Sequence, residues 1–140
     1  MRTGLAALLV VALLGACGGD TLARVDVRDA VVTLPGAPGR PGAAYFSLRS
    51  SVAARLTGID SARAGRIELH ERGMRRTDAV TLQPDEAVRF SPGGRHAMLF
   101  ELDPSLEAGD RLSLTFSFAG APPATVEAEV RRPGDVHDAH

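Results

Sequence analysis

The chain has 140 residues, which is enough for one domain that buries a hydrophobic core without disulfides or a structural metal. Its formal net charge is −1, and its basic side chains are all arginines that are spread along the sequence without a visible patch, which argues against a nucleic-acid-binding protein. Cys17 is the only cysteine, so internal disulfides and metal sites built from several thiolates are excluded.

Residues 1–16 have the layout of a secretory signal peptide. Arg2 is followed by an apolar run over residues 5–14, which is too short to span a bilayer as a permanent helix. The sequence "LLGAC" at its end resembles a lipobox, the signal at which bacterial lipoproteins are cut before a cysteine that is then lipidated. We therefore predict an exported lipoprotein with a lipidated Cys17. The alternative is an ordinary signal peptide that is cut after Ala16.

Residues 17–23 then predict a flexible tether between the lipid and the folded domain. The tether would hold the domain at the periplasmic face of a membrane, with the lipid anchor as the only membrane contact. Gly18, in the position after the lipidated cysteine, favours the outer membrane.

Nine short segments, rich in Val, Leu, Ile, Phe and Thr and often alternating between apolar and polar residues, predict β-strands. They are residues 24–34, 43–48, 54–60, 66–71, 79–82, 87–90, 96–102, 111–118 and 124–131. Turn sequences rich in Gly and Pro separate them, and no window has the apolar spacing of an amphipathic helix. About nine strands at this spacing predict one all-β domain over residues 24–132, a sandwich or barrel with Greek-key connections.

The last two predicted strands have the strongest alternation and should form a hairpin in the core. The side chains predicted to face inward are Leu112, Leu114, Phe116 and Phe118 on one strand, and Val126, Ala128 and Val130 on the other.

Histidine and methionine are rare in this chain, and their positions predict a metal site. Outside the signal segment and the C-terminal tail only four of these residues remain, in the segments "LHERGM" and "RHAM": His70, Met74, His96 and Met98. A lone methionine on a strand is more often packing than ligand, and a lone histidine is more often hydrogen-bonded, but the paired arrangement favours metal.

The strand pattern is consistent with a site on one face of the sheet. His96 and Met98 point the same way on their strand, and His70 should face outward while Leu69 faces the core. Gly73 permits a tight turn that would bring Met74 back beside His70. Imidazole and thioether ligands form a soft, neutral set that suits Cu(I) better than Zn²⁺, Mg²⁺ or Ca²⁺.

Residues 24–132 resemble the periplasmic copper chaperones of the PCu(A)C family. The resemblance is carried by "VRDAVVTLPGAPGRPGAAYFSL", "RIELHE" and above all "FSPGGRHAMLFEL" with "AGDRLSLTFSF". It implies a cupredoxin-like β-sandwich with an exposed Cu(I) site whose ligands fall on His70, Met74, His96 and Met98. It further implies delivery of the copper ion to an acceptor protein, such as cytochrome c oxidase or its assembly factors.

Two positions depart from the family pattern. Glu71 stands where the family often has methionine, and only "ERG" separates His70 from Met74, which is shorter than usual. A shortened turn could tilt Met74 away from the other three ligands and leave a three-coordinate site.

Residues 133–140 predict a disordered tail that contains His137 and His140. Beside Asp135 and Asp138 these histidines could form a weak Cu(II) site, and an exposed polar tail without metal is the alternative.

The sequence therefore predicts a copper chaperone rather than an enzyme. A blue-copper electron carrier would need a cysteine ligand in the domain. "HERGM" lacks the second histidine of the zinc-protease motif. The remaining alternatives are a non-metal structural or interaction lipoprotein domain, and a protein for copper storage or tolerance.

Overall fold

The computed structural model describes residues 22–135. The predicted signal peptide, the lipidation site Cys17, and the tail histidines His137 and His140 lie outside these residues. Within them no helix is long and apolar enough to cross a membrane.

The described chain folds into ten β-strands, and the prediction of an all-β domain is confirmed. They are β1 (Val25–Thr33), β2 (Gly42–Ser50), β3 (Ala54–Asp60), β4 (Arg66–His70), β5 (Arg76–Thr77), β6 (Val80–Leu82), β7 (Ala87–Phe90), β8 (His96–Phe100), β9 (Arg111–Ala119) and β10 (Ala124–Arg131). Each of the nine predicted segments overlaps one of them. The sequence missed only β5, because a strand of two residues shows no alternation.

The strands form one continuous, curved sheet in the order β5-β4-β8-β2-β1-β10-β9-β3-β6, with β7 paired to β2 beside β8. The long strand β2 pairs with β8 through its first residues and with β7 through its later ones. A single bridge from Ser50, at the end of β2, to Pro84, just after β6, connects the β6 end of the sheet back to β2 in its middle. The sheet therefore wraps around its own inner face and almost closes.

The core fills the inner face of this sheet, and alternation along each strand decides which side chains enter it. On β9 the residues Leu112, Leu114 and Phe116 are almost completely buried, as are Ala128 and Val130 on β10. Phe118 and Val126 are partly buried and pack against the same cluster. The predicted core hairpin is thus present, and β9 and β10 pair as antiparallel neighbours.

All ten strands and the whole buried cluster lie within residues 25–131. This part of the chain therefore contains the whole core of the described residues and should fold without the segments on either side. After β10 the backbone makes one turn, in which the N–H of Asp135 donates to the carbonyl of Arg132 over 3.2 Å.

Candidate metal site

The antiparallel pairing of β4 with β8 places His70 directly opposite His96. Cross-strand partners project to the same face of a sheet, and here that face is the outer one, away from Leu69 and Ala97 in the core. The two imidazole rings stack with their centroids 5.3 Å apart and their planes 23° from parallel. Two residues that are 26 positions apart in the sequence thus form one pair of nitrogen donors.

His96 has a fixed orientation and one ring nitrogen without a partner. Its Nδ1–H donates to the carbonyl of Gly94 over 3.0 Å, which leaves Nε2 with a free lone pair. Nε2 is buried and has no hydrogen-bond partner within the described residues. A buried polar atom without a partner costs free energy, so its persistence points to a ligand that binds there.

His70 is almost as fixed, although it lies on the outer face as predicted. It is only 8% exposed. Its Nδ1–H donates to the carbonyl of Met74 over 3.1 Å, and its Nε2 lies 3.2 Å from Oε2 of Glu68. Nε2 is therefore the atom of His70 that a metal could bind, and the metal would have to displace Glu68 from it.

Met98 lies on the same outer face, two residues beyond His96 and directly opposite Glu68 in the strand register. It is half-buried, with Ala43 of β2 as its neighbour on the other side. The structure thus places His70, His96 and Met98 together on neighbouring strands. These are three of the four residues that the sequence selects.

Met74, the fourth predicted ligand, has its backbone beside the site and its side chain in solvent. The turn after β4 returns the chain as predicted, and the N–H of Glu71 donates to the carbonyl of Arg75 over 2.7 Å. Gly73 and Met74 both have positive φ, at 79° and 66°. The main chain of Met74 therefore faces His70, but its side chain is 57% exposed.

Glu71 and Arg95 form an ion pair across the two turns that flank the histidines. Nε of Arg95 donates to Oε2 of Glu71 over 2.9 Å. Glu71 follows His70 and Arg95 precedes His96, so the pairing of the two histidines brings these charges together. In the sequence Glu71 stands out only as a departure from the family pattern. The signal in the sequence was the opposite charge of Glu71 and Arg95, each of which stands directly beside one of the two histidines.

Glu68 belongs to a charged row along β4 on the same face. Nε of Arg66 donates to its Oε1 over 3.0 Å, and the guanidinium of Arg66 stacks 3.9 Å from the centroid of the Phe100 ring. The hydrogen bond from Arg66, followed by the one with His70, lowers the pKa of Glu68 below its ordinary value of 4.5. A carboxylate is therefore held next to the two imidazoles.

The donor set suits a soft metal ion. No group of three or more histidine, cysteine, aspartate or glutamate side chains in residues 22–135 has the arrangement of a metal site. The side chains gathered on this face are two imidazoles and a thioether, a donor set that suits Cu(I) better than Zn²⁺ or Ca²⁺.

Comparison with known proteins identifies the family and the fold. Residues 25–130 match the model of the family described as "Putative lipoprotein LpqE-like". No curated protein matches the chain significantly.

Among solved structures the domain is similar to a copper-bound PCuAC domain from PmoF2, with 24% identity, a TM-score of 0.71, and coverage of 80% of this chain and 96% of the other. It is similar to the apo PCuAC domain from PmoF1, at 19% identity and a TM-score of 0.72 over 80% and 97% of the two chains. It is also similar to the Cu(I) form of DR1885 from Deinococcus radiodurans, with 24% identity, a TM-score of 0.68, and coverage of 81% of this chain and 83% of the other.

These likenesses extend over almost the whole described domain, and they confirm the predicted resemblance to the PCu(A)C family and the cupredoxin-like sandwich. The family match covers all ten strands except the last residue of β10. The chain belongs to the LpqE-like family, and its domain has the fold of PCuAC domains.

Proposed function

We propose that this protein is an extracytoplasmic copper chaperone that binds one Cu(I) ion through His70, His96 and Met98. The observation that carries the proposal is the buried Nε2 of His96, which has no partner among residues 22–135 and lies beside a stacked second histidine on a thioether-bearing face. Copper-bound relatives with the same fold support it.

Transfer of the ion would proceed by ligand exchange, without catalytic turnover. Imidazole and thioether donors are neutral, so they hold Cu(I) without the strong charge attraction of thiolates and can be replaced one at a time. Met74 completes the proposed ligand set. Because its side chain is exposed on the turn, it is the ligand that an acceptor would displace first.

The chaperone would work as a lipoprotein that is anchored through Cys17 at the periplasmic face, with the outer membrane favoured. The family description supports an exported lipoprotein. The hydroxyl of Ser51 bonds to the backbone at both Leu22 and Arg24, each over 2.9 Å, and so fixes where the tether leaves the domain. The proposed recipient is cytochrome c oxidase or its assembly factors, and storage or tolerance of copper is the alternative use of the same site.

The test is an anaerobic titration of residues 20–140 with Cu(I) against a competing chromophoric chelator. We expect one tightly bound equivalent in the parent, and loss of binding in His96→Ala and in Met98→Ala. Thr81→Ala is the matched control, because Thr81 is exposed on β6. If the parent failed to compete with the chelator, the non-metal interaction domain would become the better interpretation.

The tail histidines His137 and His140 remain a separate proposal as a weak Cu(II) site. Deletion of residues 133–140 should leave Cu(I) binding unchanged and remove only the weak Cu(II) binding. Unchanged Cu(II) binding would show that the tail has no part in it.

A further inference from the structure

The turn between β4 and β5 presents a methionine among arginines. Arg72, Arg75 and Arg76 are all exposed, and they surround Met74, which is one of only two large hydrophobic residues exposed in residues 22–135. We name residues 72–76 the basic turn. It begins two residues after His70, and its last residue, Arg76, lies directly opposite His70 in the pairing of β4 with β5, so it forms the rim of the candidate copper site.

The arginines of the basic turn form no close ion pairs with neighbouring acids in the described chain, although Arg76 lies near enough to Glu68 to attract its charge. Within residues 22–135 none of the three forms an ion pair. The two nearest carboxylates are engaged elsewhere, Glu71 with Arg95 and Glu68 with Arg66. Asp78, exposed just beyond β5, is the one acid nearby without an ion pair in the described chain. The rim therefore carries positive charge.

The positive charge is local, because the rest of the domain offsets it. Residues 22–135 contain 15 arginines and 15 acidic residues, so the described domain has no net charge. At the far end of β8 from His96, residues 101–110 contain four acids and no arginine, and of these acids Asp103 is paired with Arg63. The two ends of β8 thus differ in charge, and the basic end is the one at the proposed copper site. The interpretation of the arginines as scattered without a patch is wrong here, since the turn gathers three of them.

We propose that the basic turn docks the protein that exchanges copper with this chaperone, and that this partner carries an acidic surface around its own copper ligands. The inference rests on the proposed function. A partner must approach the outer face of β4 and β8 to reach the histidines, and so it meets the arginines first. A membrane headgroup would match the charge but cannot take up the ion. Opposite charges accelerate encounter more than they raise affinity.

The experiment measures how fast the copper-loaded protein, residues 20–140, gives Cu(I) to two chelators. One is bathocuproine disulfonate, which carries two negative charges, and the other is neocuproine, which carries none. At about 20 mM ionic strength, where charges act over roughly 20 Å, Arg72→Glu/Arg75→Glu should slow transfer to the anionic chelator about fivefold or more. Transfer to neocuproine should slow less, because only the attraction between the new carboxylates and the bound ion acts there, and added salt should remove the difference between the two chelators.

Arg55→Glu/Arg132→Glu is the matched control, because it makes the same charge change at two exposed arginines without ion pairs in the described chain. Equal slowing in this control would overturn the proposal, since only net charge would then matter. Unchanged transfer from the basic-turn variant would also overturn it.

Two further measurements keep the outcomes separate. Equilibrium Cu(I) affinity of the basic-turn variant should be equal to that of the parent or higher, because the new carboxylates attract the cation. Absence of binding in the parent would instead refute the proposed function. Sedimentation with phosphatidylglycerol vesicles tests the lipid alternative. If the parent bound the vesicles, the basic-turn variant did not, and the chelator kinetics were unchanged, the basic turn would be a membrane-binding surface instead.

Discussion

At the scale of single residues, the site combines a nitrogen that is costly to bury with a thioether that is left in solvent. Nε2 of His96 is buried without a partner within the described residues, while the side chain of Met74 is 57% exposed. The buried nitrogen works against stability in the metal-free protein, and the exposed side chain adds nothing to it. Both features are explained if the two residues serve to bind copper and to pass it to an exchange partner.

The unpartnered nitrogen predicts that function and stability oppose each other at residue 96. Replacing His96 with leucine removes a buried polar atom, although it also removes the hydrogen bond to Gly94. We expect the free energy of unfolding of the metal-free protein to stay unchanged or to rise by up to about 1 kcal/mol, while Cu(I) binding is lost. Urea unfolding and chelator competition measure the two effects.

The control for this variant is Leu99→Ala on the same strand. Leu99 is fully buried on the inner face, so its truncation should cost about 2 to 5 kcal/mol. If the free energy of unfolding fell by more than about 2 kcal/mol in His96→Leu, the histidine would be retained for packing, and its free nitrogen would not point to a bound metal.

At the scale of elements, the strands could be predicted and the geometry of the site could not. Alternation along β9 and β10 shows directly in the sequence, because every second side chain enters the core. The opposition of His70 and His96 depends on the register between β4 and β8, which tertiary packing sets. The sequence could therefore select the four residues, but not the stacked rings or the ion pair between Glu71 and Arg95.

The turn after β4 shows the same limit. Gly73 predicts a tight turn, and the turn is present. The positive φ of Met74, which is unusual for a residue with a side chain, had no signal in the sequence. This backbone conformation is what faces the carbonyl of Met74 toward His70.

The turn yields a prediction that distinguishes the effect of the Met74 backbone conformation from the effect of its sulfur atom. Met74→Ala and Met74→Gly both remove the thioether, but only glycine relieves the left-handed backbone. We expect the glycine variant to be more stable than the alanine variant by about 1 kcal/mol in urea unfolding. Both should lose the same amount of Cu(I) affinity, and less than Met98→Ala loses.

Two results would contradict this account of the turn. A larger loss of affinity in the alanine variant than in the glycine variant would mean that turn strain, rather than the sulfur, controls copper binding. A loss as large as that of Met98→Ala would mean that Met74 is a full ligand that folds over the bound ion.

At the scale of the whole molecule, carboxylates outside the candidate copper site make stability depend on pH. The N–H of Ser105, then its hydroxyl and the Arg63 guanidinium, bond to Asp103 and lower its pKa below 3.8. The guanidinium of Arg131 lowers the pKa of Glu129 below 4.5. These partners bind the ionised form, so in the acid range the unfolded chain holds more protons than the folded one.

Stability contributed by these two groups is therefore complete above their ordinary pKa values, and it is lost as the pH falls through the lowered ones. We expect the urea midpoint of the metal-free protein to fall as the pH is lowered below about 4.5, and Asp103→Asn to flatten that decline. Asp60→Asn, at an exposed aspartate without an ion pair in the described chain, should leave the decline of the urea midpoint unchanged. Because both carboxylates are partly exposed, high salt should weaken the ion-pair part of the effect, while the hydrogen bonds from Ser105 persist. If the urea midpoint of Asp103→Asn declined with the same slope as that of the parent, protonation of other groups in the fold would be the main cause.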